Sequence, residues 1–341
     1  MFNKKLYNLN DVGSSILNET NNNSLYKFSR IIQNFYKINI KEREPTTQNI
    51  DEIIFEEDLG IVVDDLFNFC FKEVNEGKEE SVIKQHVLDY INNHKLDLHE
   101  FYNWFLNNQN NSNSIYLLGY FNCHGINLNI NKQKAFELFE KAAKSENNAA
   151  QFVLACMYID GAVSGQNYNK AFEISEKLAE KGYSCGINLL AYCYVNGIGT
   201  NINMQKGVEL YQITANIGNC LALYNLAYMY NDGYGVEVDY NKSFKLFEKS
   251  AKKGHSDAIS MLGYYYSNGI GTDANKEKAF ESYQMAANLG NSCAQYNLAL
   301  MYENGHGTEK NMEKAIYWYI KSDEQEYDSS QDKLNFKLNF K

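Results

Sequence analysis

The sequence is short of the residues that break helices, span membranes or direct a chain out of the cell. It has a single proline, Pro45, so nearly all of its 341 residues are free to be helical. No stretch reaches the roughly 18 apolar residues of a membrane span, and the N-terminus MFNKKLYNLNDVG has no apolar core of signal-peptide length. We therefore expect a cytoplasmic protein, with a nuclear location also possible, and no membrane insertion.

Cysteine and histidine are too scattered for a disulfide framework or a metal site. The seven cysteines are odd in number, and Cys185 and Cys193 would be about 12 Å apart along one helix, beyond disulfide reach. No C-x-x-C or H-E-x-x-H motif includes these cysteines or the six histidines, and no nucleophile has a base at a recognisable spacing. We therefore expect reduced thiols, no metal or other cofactor and no catalytic residue, so the protein is not expected to be an enzyme.

Positive charge is also scarce. The chain has 42 acidic and 32 basic residues, and the net charge of −10 argues against nucleic acid or an anionic membrane as the main partner. Part of the acidity is local, because residues 51–80 hold eleven carboxylates and two lysines. We interpret this acidic run as a solvated helix face.

The strongest pattern in the sequence is a period of 36 residues. Glycine recurs at this interval six times, and leucine occupies a second register seven times. A strict period of this length predicts a stack of helix pairs, in which each pair buries its apolar face against the next. The glycines are Gly125, Gly161, Gly197, Gly233, Gly269 and Gly305, and the leucines are Leu118, Leu154, Leu190, Leu226, Leu262, Leu298 and Leu334.

One unit shows how 36 residues can form two helices. Ser184 is the expected N-cap of the first, helix A, and the small residue Ala191 on this helix lets a neighbouring helix approach closely. Gly197 is expected to end helix A in the left-handed conformation, and helix B follows and closes at Gly218. The serine cap is expected to recur at Ser256 and Ser292.

The first two units depart from this pattern. Asn122 stands where the other five units have a tyrosine, and the loop after Gly125 lacks the second glycine of the G-x-G pair. The second unit has GAVSG at 161–165 in place of G-x-G. Departures at the end of an array are expected, because a terminal unit meets a different neighbour.

The period and the polar breaks divide the chain into four segments. The segment before the array contains three amphipathic patterns, and the third begins with an expected N-cap at Asp97. The segments are a polar, Asn-rich stretch at 1–50 with one possible helix at 24–38, a small helical unit at 51–112, six repeats at 113–322, and a capping helix (328–339) and tail within 323–341.

The repeated residues resemble a known family. The pattern A-x-x-x-L-A/G-x-x-Y-x-x-G-x-G, as in ALYNLAYMYNDGYG, is similar to the Sel-one-like repeats, which are tetratricopeptide-related. The resemblance covers about three fifths of the chain. It implies an all-α fold, a right-handed α-solenoid of six 36-residue helix-turn-helix repeats, and a role as an adaptor between proteins. Some fungal members carry a protein kinase domain before the repeats, but none of its motifs occurs here.

The same resemblance implies a binding groove along helix A. In such stacks helix A lines the concave surface, and the positions two before and two after the repeated leucine face the groove. Here these positions and the helix ends carry aromatic rings and carboxylates, which suit a peptide with Lys or Arg. Packing between repeats would account for the rings equally well. The candidate groove residues are Tyr120, Phe152, Tyr192, Tyr224, Tyr228, Tyr264 and Tyr296, with Asp160, Asp232, Asp257 and Glu303 at the edge.

Two functional hypotheses follow. The first is a non-catalytic scaffold or adaptor, as in signalling, that binds a segment of another protein in the concave groove. The alternative is a regulatory subunit of a kinase or chitin-synthase type of complex, which docks through the 51–112 unit and uses the solenoid as a spacer. Neither hypothesis identifies the partner protein.

Overall fold

In a computed structural model, the described part of the chain is a stack of antiparallel helix pairs preceded by three further helices. The structure describes residues 56–161 and 163–325, so the possible helix at 24–38 and the expected capping helix at 328–339 lie outside the described residues. Within the described ranges there are fifteen helices and no strand. The predicted all-α solenoid is therefore confirmed.

Three helices precede the array, as the amphipathic patterns predict. They are α1 (Glu56–Asn75), α2 (Glu80–Asn93) and α3 (Leu98–Asn107). The side chain of Asp97 accepts hydrogen bonds from the backbone N–H groups of His99 and Glu100, so the expected cap of α3 is confirmed.

The six repeats follow without an insertion in their helices. Each helix begins 36 residues after its counterpart in the preceding repeat. Helices A of repeats 1 to 6 are α4 (Ser112–His124), α6 (Asn148–Asp160), α8 (Ser184–Asn196), α10 (Cys220–Asp232), α12 (Ser256–Asn268) and α14 (Ser292–Asn304). Helices B are α5 (Lys132–Lys144), α7 (Tyr168–Glu180), α9 (Met204–Asn216), α11 (Tyr240–Ala251), α13 (Lys276–Asn288) and α15 (Met312–Asp323).

The expected serine caps of helix A are wrong by one residue. Ser256 and Ser292 are the first helical residues, and the residues before them cap the helices. Asn291 accepts from the N–H of Ala294, and His255 accepts from the N–H of Ala258. Helix α8 likewise begins at Ser184, after Tyr183, whose side chain makes no capping hydrogen bond.

The tyrosine near the end of helix A joins three helices. In repeat 3, Tyr194 meets Phe172 of the preceding helix B edge to face, with ring centroids 5.6 Å apart. Lys206, on the following helix B, lies with Nζ 4.1 Å from the centroid of the same ring and donates to its hydroxyl at 2.6 Å. The lysine contact recurs on Tyr158, Tyr230, Tyr266 and Tyr302.

The second glycine of the G-x-G pair allows contact with the preceding repeat. Gly271 has φ +63°, and a Cβ there would collide with the backbone of Tyr240, at the start of the preceding helix B. Repeat 1 follows no other repeat, and Asn127 takes the corresponding left-handed position with φ +62°. Its amide donates to the carbonyl oxygen of Leu98 in α3. The missing glycine therefore reflects a different neighbour.

Candidate partner-binding surface

Every candidate groove residue lies on a helix A. We call the surface that these helices form the helix A face. It carries Tyr120 on α4, Phe152 and Asp160 on α6, Tyr192 on α8, Tyr224, Tyr228 and Asp232 on α10, Asp257 and Tyr264 on α12, and Tyr296 and Glu303 on α14.

The exposure of these side chains differs along the array and is greatest at Tyr264. Tyr120, Phe152 and Tyr224 are buried, with 3–5% of their surface exposed. Tyr192, Tyr228 and Tyr296 are partly buried, and Tyr264 is 47% exposed. Buried rings are not accessible to another protein in this conformation, so the candidate groove is open only in its later part.

Helices α1 and α2 cover the beginning of the helix A face. Phe67 on α1 meets Tyr116 on α4 edge to face, with ring centroids 5.3 Å apart, and Phe71 meets Tyr183, the residue before α8, at 5.1 Å. On the returning helix α2, Lys84 donates to the carbonyl oxygen of His124 at the end of α4. Helices α1 and α2 thus form a hairpin that packs against the repeats.

The tip of this hairpin, residues 75–80, passes the first turns of three successive helices A. The N–H of Cys185 in α8 donates to the side chain of Asn75 at 3.3 Å. The thiol of Cys220 in α10 donates to the carbonyl oxygen of Gly77 at 2.6 Å. The hairpin therefore reaches from repeat 1 to at least repeat 4 by direct hydrogen bonds.

Glu79 makes the furthest anchor. Its carboxylate accepts from both the backbone N–H and the hydroxyl of Ser256, each at 2.7 Å, and lies 3.6 Å from Nδ1 of His255. Ser256 is the first residue of α12, where a negative charge is stabilised by the unpaired N–H groups and the helix dipole. The tip is thus bound to repeat 5 by charge-assisted hydrogen bonds.

The solvated interpretation of the acidic run is therefore wrong for two of its members. Glu73 is 5% exposed and contacts Lys78 and His86 at 3.2 and 2.6 Å. Glu79 is bound against α12, as described above. Sequence reasoning missed these contacts because a carboxylate on an amphipathic helix has the same pattern whether it meets water or another helix.

The rings in the open part of the face also pack between helices. Tyr228 meets Tyr224 at 4.9 Å and Phe247 of α11 at 5.3 Å between ring centroids, both edge to face. Tyr296 meets Tyr319 of α15 at 5.6 Å. Packing between helices thus accounts for the aromatic residues at 228 and 296, whereas Tyr264 presents about half of its surface to solvent.

The four edge carboxylates differ in their surroundings. Asp160 and Asp232 are exposed at the ends of their helices. Asp257 accepts from the side-chain amide of Asn291 at 2.6 Å, and Glu303 accepts from the hydroxyl of Tyr319 at 2.6 Å. Two of the four therefore contribute to contacts inside the array as well as to the charge of the face.

Among the described residues, two groups of potential metal ligands form where the hairpin meets the repeats. One is Glu80, Cys123 and His124, and the other is Glu79, His255 and Asp257, with the ligand atoms of each group within 4.8 Å of one another. Hydrogen bonds to the array engage all members of the second group. In the first, burial together with Lys84 and Lys132 lowers the pKa of His124 to about 4, and burial raises the pKa of Cys123 to about 11. The thiol of Cys123 therefore stays protonated at neutral pH, in its weakly ligating form.

The length and hydropathy of the helices can be compared with those of a membrane span. No helix in the described ranges is both long and apolar enough to cross a bilayer.

Comparison with known proteins gives a family match across the array. The Sel1 repeat model matches six consecutive stretches, which together exceed half of the chain: 112–147, 148–183, 186–219, 220–255, 256–291 and 294–325. No curated protein matches the chain significantly.

Among solved structures, a Sel1 repeat protein from Oxalobacter formigenes is similar, with 27% identity and a TM-score of 0.56 over 63% of this chain and 89% of that one. A protective antigen present in uropathogenic Escherichia coli strains has 28% identity and a TM-score of 0.48, over 82% of this chain and 66% of that one.

Proposed function

Since the chain belongs to the Sel1 repeat family, whose repeats generally serve as protein-interaction scaffolds, we propose that it is a non-catalytic adaptor. Its binding surface is the part of the helix A face beyond the hairpin tip, formed by the later turns of α10 and α12 and by α14. The single observation that supports this location is the exposure of Tyr264, in contrast to the buried Tyr120, Phe152 and Tyr224 of the same stripe.

The chemistry of the open part favours a partner segment with Lys or Arg. Tyrosine offers a large, stiff contact area and a hydrogen-bonding hydroxyl, and its ring face attracts cations. Asp232 lies exposed at the end of α10, next to the same strip of rings. A helical or extended segment with alternating apolar and basic residues would match this surface.

The test is capture of partners from the native cell with full-length protein. Tyr264→Ala removes the most exposed ring of the strip and should cost about 1–3 kcal/mol in partner binding, if it is a central contact. Tyr317→Ala is the matched control, because Tyr317 is 52% exposed but lies on helix α15, a helix B. Retention of every partner by a correctly folded Tyr264→Ala variant would refute the location.

A docking role for the 51–112 unit remains the second candidate. Its support is that two apolar side chains of this unit are exposed to solvent. Ile61 on α1 is 46% exposed and Leu106 on α3 is 42% exposed. Ile61→Asp together with Leu106→Asp should release a partner that binds there, such as a catalytic subunit. Loss of a captured protein in this variant, with retention in Tyr264→Ala, would favour the second candidate over the first.

The cytoplasm or the nucleus remains the proposed compartment. Imaging of a fluorescent fusion of the full chain would test it, and accumulation in another compartment would contradict it.

A further inference from the structure

A thiol, an imidazole and a carboxylate meet where the hairpin joins the first repeat. Cys123 and His124 are the last two residues of α4, and Glu80 is the first residue of α2. Their sulfur, a ring nitrogen and a carboxylate oxygen all lie within 4.8 Å of one another. Because two separate helices supply these groups, no motif of closely spaced ligands marks them in the sequence.

The three groups lie close to the spacing that a metal ion requires. A carboxylate oxygen of Glu80 is 3.2 Å from Nδ1 of His124, and the side chain of Glu80 is 44% exposed, so it has room to turn. A tetrahedral zinc ion lies about 2.0–2.3 Å from its nitrogen, oxygen and sulfur ligands, which places the ligands about 3.3–3.7 Å from one another. Side-chain rotation that closes the longest separation by about 1 Å would therefore give this geometry.

The combination of donor atoms favours a borderline-soft ion. Zinc binds cysteine, histidine and carboxylate side chains, whereas calcium and magnesium take oxygen ligands. Burial, together with Lys84 and Lys132, lowers the pKa of His124 to about 4, so the imidazole is neutral and its lone pair is available to a metal. The thiol of Cys123 carries a proton, which the ion displaces on binding and which passes to the solvent.

The structure also provides space for a fourth ligand. A cavity of about 200 Å³ lies between the hairpin and the first two repeats, and all three groups line it. Zinc sites with three protein ligands keep their fourth position for a water molecule. The cavity is large enough for this water, so the protein need not supply another side chain.

The charges around the three groups do not exclude a cation. Lys84 donates to the carbonyl oxygen of His124 at 2.8 Å, and Lys132 is exposed. Burial raises the pKa of Glu80, and the negative charge of Asp160 adds to this rise, which is a repulsion that a cation would relieve. The two lysines and the two carboxylates have no net charge, so the donor atoms decide which ion fits.

We propose that Glu80, Cys123 and His124 bind a zinc ion, with a water molecule in the cavity as the fourth ligand. The ion would join the start of α2 to the end of α4, and would thereby fix the hairpin to repeat 1. The site is separate from the part of the helix A face beyond the hairpin tip, so it does not depend on the proposed adaptor function.

Cobalt(II) titration of the full-length protein, without a histidine tag and with its thiols reduced, tests the role of the cysteine. A thiolate bound to cobalt gives a charge-transfer band in the near ultraviolet, which should saturate at one ion per chain and disappear when zinc replaces cobalt. The group of Glu79, His255 and Asp257 contains no cysteine and cannot produce this band. Calorimetry should give a dissociation constant for zinc on the order of a micromolar or below. Absence of the band would overturn the proposal.

Two variants with matched controls identify the ligands. Cys123→Ser should abolish the cobalt band, whereas Cys293→Ser removes another partly buried thiol and should keep it. His124→Ala should weaken zinc binding by about tenfold or more, since loss of even an outer partner of a ligand costs about 10–100-fold. His99→Ala removes an exposed histidine of α3 and should leave the affinity unchanged. A band in Cys123→Ser, or an unchanged affinity in His124→Ala, would overturn the site.

The unaltered protein gives a readout that does not require a variant to fold. In zinc at about ten times its dissociation constant, iodoacetamide should modify Cys123 about tenfold more slowly and Cys293 at the same rate, as measured by mass spectrometry. Zinc should also slow amide exchange in the first turn of α2, because Glu80 is there. Equal modification of Cys123 with and without zinc, or no slowing of exchange in α2, would overturn the proposal.

Discussion

Asparagine side chains cap most helices of the array, and this role accounts for nine of the 46 asparagines in the sequence. Their oxygens accept from backbone N–H groups in the first turn, which otherwise have no helical partner. Helices A use Asn111, Asn147, Asn219 and Asn291, whereas helices B use Asn131, Asn167, Asn203, Asn275 and Asn311, with Asp239 in the remaining repeat.

The cap at Asn219 does more than end a helix. It is fully buried, accepts from the N–H of Ala222 at 2.6 Å and donates to the hydroxyl of Ser184 at 3.0 Å. Its oxygen also accepts from the amide of Asn188, which in turn accepts from Thr214. This buried network joins repeats 3 and 4.

We expect Asn219→Ala to destabilise the protein by about 2–4 kcal/mol, because it removes a cap and leaves buried polar groups unsatisfied. The matched control is Asn203→Ala, which removes an exposed cap at the start of α9 and should cost about 1 kcal/mol. Urea unfolding of both variants measures the difference. Equal losses would show that the buried network adds nothing to the cap.

Glycine at the second position of the G-x-G pair should be needed for space as well as for its backbone angle. Gly271→Ala would place a Cβ against the backbone of Tyr240, whereas Gly254→Ala, with φ +87°, has no atom within 4 Å of the added Cβ. We expect Gly254→Ala to cost about 1 kcal/mol from the backbone angle alone. Gly271→Ala should cost at least about 1–2 kcal/mol more in urea unfolding, since backbone must move. A similar midpoint for both variants would contradict the close approach.

The sequence predicts these residues unequally well. The end of helix A requires a residue in the left-handed conformation, and glycine adopts it most easily. The recurring glycine therefore identifies the C-cap of helix A correctly. The N-cap is harder, because Asn291 and Ser292 are adjacent and both are favourable caps. Intrinsic preference does not decide between such neighbours, and the prediction chose the wrong one.

At the scale of elements, the hairpin of α1 and α2 is the feature that the sequence reveals least. The spacing of its apolar residues predicts each helix correctly. It carries no information on where the helices dock, because the anchor between Glu79 and Ser256 joins residues 177 positions apart. The burial of Tyr120 and Phe152, and therefore the extent of the open surface, could not be predicted for the same reason.

Cys220 offers a probe of this docking. Its buried thiol lies under the tip, and Glu79→Ala removes the charge-assisted hydrogen bonds that hold the tip to α12. We expect iodoacetamide to modify Cys220 about tenfold faster or more in this variant, as measured by mass spectrometry, because the tip opens more often.

Glu76→Ala is the matched control for this prediction. The side chain of Glu76 contacts Lys72 and Lys78 of its own segment at 3.5 and 3.4 Å. Its loss should therefore leave the protection of Cys220 almost unchanged. Rapid modification in both variants, or in neither, would argue against anchoring by Glu79.

At the scale of the whole molecule, the hairpin changes how the repeats are connected. In a simple array each repeat contacts only its neighbours, and flexing accumulates along the stack. Here Asp64 of α1 accepts from Asn113 in repeat 1, while Glu79 is bound to repeat 5. The hairpin therefore braces the stack over five of its six repeats.

Releasing one end of this brace should let the array expand. We expect small-angle X-ray scattering to give a larger radius of gyration for Glu79→Ala than for the unaltered protein, with Glu76→Ala unchanged. Superimposable scattering curves for all three proteins would show that packing between neighbouring repeats alone sets the curvature.

The distance in sequence between the hairpin and its anchor has a consequence for synthesis. The ribosome releases α1 and α2 before any of the repeats, but Ser256 emerges only after four repeats have been made. Contacts of this separation form late, because long loops must close before the contact is gained. Until then the apolar side chains of α1, such as Val63 and Leu66, have only the first repeats to cover them. The hairpin should thus be the last of the described elements to reach its final position, and the part most in need of a chaperone while translation continues.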